Sequence, residues 1–497
     1  MMPLNPRSPG PIPGLDVHAS IRNRESCAPM KRKTVSLCLI ARDEEATIGA
    51  AIKSVLALVD EVIVVDTGSR DNTRIIAEGY GARVLEVPWN DDFAAARNAG
   101  LGEAVCDWVL VLDADECLQP CRPVEFQRYL HDPQVAGYRV RIVSPREESG
   151  PDGRRQVRLF RNSPEARYEF PVHEQITPAL EAWARSTGLV IQDTPLVVIH
   201  DGESPERRTR RRERNLRLLN QALETHGQEP YFPYRLACET MLRLDGEVLP
   251  VGGLDEALGY LQRSWRLLSP KDDEELRCLH WLPDLGTRIA SGMLAMGEVP
   301  AARSTLGTLR GLVPGHPLVL LHGVAADIRY LAERTNDLTS DDASRIIAAA
   351  RADLERLRSG EPVPPQDTID GRVRDLYPLR YFGELALLEG RVTEASERFE
   401  QALEWDPNYS FAWLGLAECS RFAGDRKRAM KLYLRAVTES EWNHRAWFRG
   451  AALMADMGFH DNAASWLRTA CARFPEHPRA RRERLEALDH GEIPAHV

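Results

Sequence analysis

The sequence contains no run of about 20 apolar residues, the length that a helix needs to cross a bilayer. It also lacks the apolar core of a signal peptide near its start, where MMPLNPRSPGPIPG is rich in proline and glycine. Its nine cysteines are odd in number and include no CxxC pair. These absences predict a cytoplasmic protein without membrane helices, and residues 1–32 are interpreted as a flexible N-terminal segment.

An excess of positive charge is missing as well. The chain has 64 Lys and Arg against 74 Asp and Glu, and its net charge of -10 offers no general attraction for nucleic acid. With 497 residues it exceeds what one hydrophobic core serves, so roughly two to four domains are expected. A hydrophobic fraction of 43% is ordinary for a globular protein.

The first third of the chain alternates short apolar runs with segments of helical pattern. The runs TVSLCLIA, EVIVVD, ARVLEVPW and DWVLVLDAD each have the character of a strand. Such alternation predicts a parallel sheet with helices on both faces. Ligands of such sheets bind beyond the carboxyl ends of the strands, so the residues directly after each run are the candidates for a site.

Three of these four runs end in polar clusters, namely ARDEE at 41–45, DTGSRDNT at 66–73 and DADE at 113–116. Alternation along a strand would place Asp113 and Asp115 on one side, where two carboxylates can hold Mg²⁺ or Mn²⁺. A solvated exit from the strand is the alternative for these acids alone. The convergence of three clusters at one sheet edge favours a binding site.

These blocks resemble those of family 2 glycosyltransferases with the GT-A fold. The match continues through RLFRN, YEFPVHEQI and VVIHDGE, so it covers residues 34–203. Within that family the chain is similar to short bacterial members such as SunS-like peptide glycosyltransferases and lipopolysaccharide core β-glucosyltransferases. The resemblance implies a GT-A nucleotide-sugar-binding domain at 33–203. The QxxRW block of processive synthases is absent, which favours a single transfer.

The resemblance also implies a set of donor-binding residues. Asp66 would accept a hydrogen bond from the base of the nucleotide, and Arg97 would face its diphosphate. A salt bridge on the helix surface is the alternative role for Arg97. Asp113 would lie near the ribose. The full donor-binding set is Asp43, Glu45, Asp66, Arg97 and Asp113.

For the metal and the chemistry, the resemblance implies a divalent cation, Mn²⁺ or Mg²⁺, held by Asp113, Asp115 and His200. A structural role is the alternative for His200. Glu174 is expected to be the general base, with His173 as its rival. Arg158 and Arg161 have two readings, one lining the phosphate or acceptor side and the other on a solvated face.

The second half of the chain has a helical pattern with a fixed period. Residues 204–230 predict a connecting helix, whose run RRTRRRER either meets an anionic acceptor or forms a solvated face. Further on, Gly390, Gly424 and Gly458 recur every 34 residues, with alanines in the same register. This is the tetratricopeptide pattern, so residues 231–497 are predicted to form an all-α solenoid whose surface suits a peptide or protein.

The resemblance thus implies a family 2-like hexosyltransferase that moves a sugar from a nucleotide-sugar donor, expected to be UDP-linked, to an acceptor by metal-assisted inverting displacement. Protein, peptide and lipid-linked or lipopolysaccharide saccharide acceptors all stay open. One alternative is a non-catalytic scaffold in which a decayed transferase domain supports the repeats. Another is a nucleotidyltransferase, against which the lack of a glycine-rich phosphate loop after the first strand argues.

Overall fold

The computed structural model describes residues 31–144, 154–200, 205–244, 247–250, 253–334, 337–359 and 371–475. Nearly all of the predicted flexible segment, residues 1–30, lies outside the described residues. Within the described part of the chain, no helix combines the length and the apolar character that crossing a membrane requires.

The first part of the chain forms an α/β domain with one eight-stranded sheet. Its strands are β1 (Val35–Ala41), β2 (Glu61–Asp66), β3 (Arg83–Glu86), β4 (Trp108–Val111), β5 (Glu116–Leu118), β6 (Val135–Val143), β7 (Arg154–Arg161) and β8 (Val190–His200). Their order across the sheet is β3-β2-β1-β4-β7-β6-β8-β5. Five helices lie in the described part of this domain, namely α1 (Ile48–Val55), α2 (Thr73–Gly79), α3 (Phe93–Glu103), α4 (Pro123–Leu130) and α5 (Thr177–Thr187).

Strands β1 to β4 run parallel to one another, as the sequence predicts. The expectation of a wholly parallel sheet is wrong for the remainder, because β7 pairs antiparallel with both β4 and β6, and β5 pairs antiparallel with β8. The first four strands are joined through helices, which permit parallel pairing, whereas no described helix joins β6 to β7. The sheet is therefore mixed.

The fourth strand is shorter than the sequence predicts. It ends at Val111, and Asp113 and Asp115 lie in the turn before β5, which begins at Glu116. Two hydrogen bonds close this turn: the Glu116 N–H donates to the Asp113 carbonyl over 3.0 Å, and the Asp113 N–H donates to the Glu116 carboxylate over 2.9 Å. The argument from strand alternation for Asp113 and Asp115 is therefore wrong, and their positions follow from the turn.

A long helix leads from the α/β domain to the helical region. This is α6 (Pro205–Thr225), inside the predicted connector, and it is followed by α7 (Tyr231–Thr240). A short antiparallel hairpin, β9 (Met241–Leu244) with β10 (Glu247–Pro250), then interrupts the region that was expected to be entirely helical. The Asp-Gly dipeptide between apolar residues in LRLDGEVLP is the sequence signal for a hairpin that the helical periodicity concealed.

Helices make up the rest of the described chain. They are α8 (Leu254–Leu268), α9 (Asp273–Arg277), α10 (Leu282–Ala295), α11 (Val299–Leu312), α12 (Pro317–Glu333), α13 (Ser340–Arg358), α14 (Arg372–Asp375), α15 (Tyr377–Leu388), α16 (Val392–Trp405), α17 (Ser410–Phe422), α18 (Arg426–Glu439), α19 (His444–Asp456) and α20 (His460–Arg473). We refer to α7–α20 as the array.

The 34-residue period appears in the array as stacked helical hairpins. Gly390, Gly424 and Gly458 follow α15, α17 and α19 with φ angles of 72°, 81° and 85°, a left-handed conformation that favours glycine. Ala395 and Ala429, in the helices that come next, are completely buried where neighbouring hairpins meet. The predicted repeats are confirmed from α15 to α20.

The array packs directly against the α/β domain. The ring of Phe170, in the loop after β7, stacks on that of Tyr231 in α7 with 4.3 Å between centroids. Val172 from the same loop belongs to one buried apolar cluster with Leu219 of α6 and Phe232 of α7. We call residues 169–175 the bridging loop, because it lies between the two domains.

Candidate active site

Arg97 lies at the centre of the cluster of charged residues beyond the ends of the strands. Arg97 belongs to helix α3, whose first turn is capped by the Asp92 carboxylate. The Nη2 atom of Arg97 donates to Asp113 Oδ1 over 2.6 Å, and its Nε atom donates to Glu174 Oε1 over 2.7 Å. Only 8% of its side chain is exposed, so this is a buried bridge between two carboxylates rather than a surface salt bridge.

A second arginine holds the other oxygen of Asp113. Arg158 of β7 donates through Nη2 to Asp113 Oδ2 over 3.0 Å and to Glu116 Oε1 over 2.7 Å. Glu116 is completely buried. Although burial disfavours ionisation of Asp113, the charges of Arg158 and Arg97 outweigh it and hold the pKa of this carboxyl well below its usual range. Asp113 is therefore an anion that the protein itself neutralises.

Asp115 and His200 form a separate pair. Strands β5 and β8 place Glu116 opposite His200, which brings His200 Nε2 to 3.3 Å from Asp115 Oδ2. Asp113 differs from this pair in its contacts, since its two oxygen atoms accept hydrogen bonds from Arg97 and Arg158. The residues predicted as metal ligands thus divide into an acid held by arginines and an acid beside an imidazole.

A carboxylate next to an imidazole is a donor set that suits Mn²⁺, and Asp115 retains partial exposure to solvent. Among the described residues, no group of three or more His, Cys, Asp or Glu side chains is close enough to hold a metal ion unaided. Metal ions at phosphate-transfer sites commonly take one or two protein ligands and complete their coordination with substrate phosphates. The pair therefore fits a cation that takes its remaining ligands from a bound molecule or from water.

His173 and Glu174 differ sharply in their surroundings, although they are adjacent. The Arg235 Nη2 atom lies 2.9 Å from His173 Nδ1, and Glu239 Oε1 lies 3.0 Å from His173 Nε2. Because a guanidinium only donates, Nδ1 accepts from Arg235, and Nε2 carries the proton that Glu239 accepts. Burial and the charge of Arg235 outweigh the effect of Glu239 and hold the pKa of His173 below its usual value. Both ring nitrogens are thus engaged in contacts with α7.

Glu174 keeps one oxygen atom for other contacts. Its Oε1 accepts from Arg97, whereas the described residues provide no hydrogen bond to its Oε2. This carboxylate lies on the same arginine as Asp113, so it belongs to the cluster at the ends of the strands. Of the two candidates for general base, Glu174 alone has an acceptor atom that the protein leaves open among the described contacts.

The acids predicted for donor binding lie at the ends of β1 and β2. Asp66 is 2% exposed and accepts hydrogen bonds from the N–H and the hydroxyl of Ser69. Asp43, which has a φ of 56°, accepts from the Arg70 N–H over 2.7 Å. The Glu45 carboxylate accepts from the N–H and the side chain of Asn72. All three acids therefore fix the loop between β2 and α2.

Arg161 lies three residues after Arg158, at the last position of β7, where it pairs with Trp108 at the start of β4. It donates to the backbone carbonyls of Val135 and Asp132, and its guanidinium lies over the ring of Trp108. The prediction that Arg161 lines the phosphate or acceptor side is wrong, since this residue ties loops together at the amino end of β4. A solvated face is equally wrong for Arg158, which is buried in the charged cluster.

Sequence reasoning missed Arg235 and Glu239. These residues follow His173 by 62 and 66 positions and reach it only because α7 packs on the bridging loop. A signal was present in the spacing of Tyr231, Arg235 and Glu239, which places one aromatic and two charged side chains on a single face of a helix.

Two family models match this chain. Residues 36–189 match the model for glycosyl transferase family 2, and residues 386–440 match a tetratricopeptide repeat. The first range holds β1 to α5, including every residue of the charged cluster apart from His200. The second holds the end of α15, all of α16, α17 and α18, and the helix-ending Gly390 and Gly424. The predicted combination of these two domains is confirmed.

Several curated proteins are similar to parts of the chain. A TPR repeat-containing protein of Synechococcus elongatus is 34% identical over 259 residues, which cover 51% of this chain and 62% of that protein. An uncharacterized glycosyltransferase of Rickettsia bellii is 44% identical over 86 residues, or 17% and 28% of the two chains. The lipopolysaccharide core biosynthesis glycosyltransferase LpsC of Rhizobium meliloti is 28% identical over 183 residues, or 33% and 64%. The chain spans less than two thirds of each of these relatives.

Proposed function

We propose that this chain, whose residues 36–189 form a family 2 glycosyltransferase domain, transfers a hexose from a UDP-linked donor to a protein or peptide acceptor with inversion at the anomeric carbon. The observation that carries the proposal is the connected cluster in which Arg97 joins Asp113 to Glu174, next to the pair of Asp115 and His200. The proposed base, Glu174, and the proposed cation ligands, Asp115 and His200, thus lie at one edge of a sheet of the type that binds nucleotides.

Asp115 and His200 would hold the divalent cation, Mn²⁺ or Mg²⁺. A cation bound there would neutralise negative charge on the departing diphosphate. Asp113 is not needed as a ligand, because its charge is already balanced by Arg97 and Arg158. Its role in the proposal is to hold both arginines in place beside the donor.

Glu174 would activate the acceptor hydroxyl. Its carboxylate takes the hydroxyl proton as the acceptor oxygen forms a bond to the anomeric carbon. The bond between that carbon and the diphosphate oxygen breaks, and its electron pair leaves with the nucleoside diphosphate. Arg97 fixes one carboxylate oxygen over 2.7 Å, so the other can be aimed at the acceptor.

Asp43, Glu45 and Asp66 would shape the nucleotide pocket. They hold the loop between β2 and α2 through hydrogen bonds to Ser69, Arg70 and Asn72. A rigid loop at the ends of β1 and β2 is a suitable wall for a base and ribose. Asp66 is the residue proposed to read the uracil.

The array would bind the protein acceptor and bring it to the transferase domain. Tetratricopeptide arrays form extended concave surfaces that bind peptides and helices. The packing of the array against the bridging loop supports this role, because that loop carries Glu174. We keep the domain limits predicted from the sequence, 33–203, 204–230 and 231–497, as part of the proposal.

The decisive experiment measures UDP release from a panel of UDP-sugars with Mn²⁺ or Mg²⁺. Asp115→Asn should abolish release, whereas Asp461→Asn, an exposed acid on α20, should leave it intact. Calorimetry with the same donors separates the alternatives, because a pure scaffold binds none of them. Equal release by parent and Asp115→Asn, unaffected by a chelator, would contradict the role of the cation.

A further inference from the structure

We propose that α7, the first helix of the array, is a working part of the transferase site, and that Tyr231, Arg235 and Glu239 position Glu174 by holding the residues on either side of it. This inference rests on the proposed function for the role of Glu174. Its structural part, the grip of α7 on the bridging loop, stands on contacts between described residues.

The three residues lie four positions apart, so they share one face of α7. Tyr231 stacks on Phe170, its hydroxyl donates to the His173 carbonyl over 3.1 Å, and it accepts from Gln175 Nε2 over 2.6 Å. Arg235 binds the His173 ring from the same face. The residues before and after Glu174 are thus both fixed by the array.

The backbone conformation of the bridging loop explains why it needs supporting contacts from α7. Phe170 and His173 have φ angles of 70° and 55°, in the left-handed region that residues with a side chain rarely adopt. Such residues persist where the surrounding structure holds them. Phe170 is held by stacking on Tyr231, and His173 is held by Arg235 and Glu239.

Glu174 is therefore fixed from two directions. Arg97 of the α/β domain binds its carboxylate, and α7 of the array fixes the backbone on which it stands. A base aimed at an acceptor hydroxyl requires this precision, since small misplacements at a reacting centre reduce rates steeply. The array thereby contributes positioning residues to the reaction in addition to its proposed acceptor surface.

The test uses the full chain with two substitutions at one position. Glu239→Ala removes the acceptor of the His173 Nε2 proton, while Glu239→Gln retains an amide oxygen that can accept it. A matched control is Arg303→Ala, which breaks the ion pair of 2.7 Å with Asp327 between two array helices away from the loop. Backbone hydrogen exchange of peptides covering 169–175 is measured alongside UDP-sugar turnover.

In Glu239→Ala, the backbone amides of the bridging loop should exchange faster than in the parent. The same variant should have a kcat lower by about 10- to 100-fold and an unchanged KM for the donor. Glu239→Gln should restore most of the slow exchange and most of the kcat. Arg303→Ala should change neither the loop exchange nor the kcat. Unaltered exchange in Glu239→Ala, or equal loop exchange in Arg303→Ala, overturns the inference. A parent without turnover on any donor would instead refute the proposed function, while the exchange measurement still decides whether α7 holds the loop.

Discussion

The Nε atom of Arg97 donates to Oε1 of Glu174 over 2.7 Å, and this bond links helix α3 to a residue of the bridging loop that is 77 positions further along the chain than Arg97. The guanidinium is almost completely buried, so its charge must be balanced by carboxylates inside the protein. Asp113 supplies the second of these, and both acids hold the pKa of Arg97 well above its usual value against the opposing effect of burial. One arginine thus fixes the orientation of the proposed base.

Replacing Arg97 by Met should damage both stability and turnover. The substitution leaves Asp113 and Glu174 partly buried with one fewer positive neighbour, and breaking a buried pair commonly costs about 3–5 kcal/mol. Without the bond to Oε1, the Glu174 carboxylate loses its fixed orientation, and UDP release should fall by about 100-fold. Chemical denaturation and the release assay measure the two effects.

Arg217→Met is the matched control for this change. Arg217 also binds a carboxylate through two nitrogen atoms, those of its contact with Asp91, but both side chains are well exposed to solvent. An exposed pair contributes about 1 kcal/mol or less, so this variant should stay close to the parent. Similar losses in the two variants would show that burial of Arg97 has no special weight.

The regular features of this fold could be predicted because their signals are local. Alternating runs marked β1 to β4, and a 34-residue spacing marked Gly390, Gly424 and Gly458. The different surroundings of Asp113, which is bound by arginines, and Asp115, which lies beside His200, could not be predicted in the same way. It depends on Arg158 reaching Asp113 across 45 residues and on β5 pairing with β8, neither of which has a local sequence signal.

The same distinction explains the outcome for His173 and Glu174. Their sequence position made both candidates for the base, and composition could not separate two adjacent residues. The separation comes from α7, because Arg235 and Glu239 engage the imidazole while Arg97 takes only one oxygen of Glu174. Contacts between domains decide which of two chemically suitable groups remains open to a substrate.

His200→Ala should weaken the binding of the cation more than it affects folding. The imidazole is one half of the proposed cation pair, and its removal leaves Asp115 as the single protein ligand. We expect the Mn²⁺ concentration for half-maximal UDP release to rise by about tenfold or more, the scale seen when the surroundings of a metal site are disturbed. A titration of release against Mn²⁺ measures this directly.

His460→Ala provides the comparison, since His460 is an exposed residue at the start of α20. Its Mn²⁺ titration should coincide with that of the parent. If His200→Ala also coincides with the parent, the imidazole has a structural role at the end of β8 and the cation pair is refuted.

Gly415→Ala should destabilise the array. A Cβ atom on this α17 residue would collide with the ring of Phe399 from α16, which is itself completely buried. Overpacking of a core of this kind commonly costs about 1–3 kcal/mol. Gly307→Ala in α11 is the opposite case, because open space surrounds that position and alanine favours a helix by about 1 kcal/mol over glycine. Thermal unfolding should therefore move in opposite directions for the two variants.

Lowering the pH should weaken the contact between His173 and α7. Burial and Arg235 lower the pKa of the folded imidazole below the unfolded value of 6.5, so the folded state favours the neutral ring. The stabilisation is complete above the unfolded pKa and is lost as the pH falls through the folded pKa, because the unfolded chain then binds a proton that the folded ring resists. The denaturation midpoint should fall between pH 7.5 and 5 by more in the parent than in His173→Gln. A His173 ring that titrates at or above about 6.5 by NMR would reverse the sign and contradict the neutral ring held between Arg235 and Glu239.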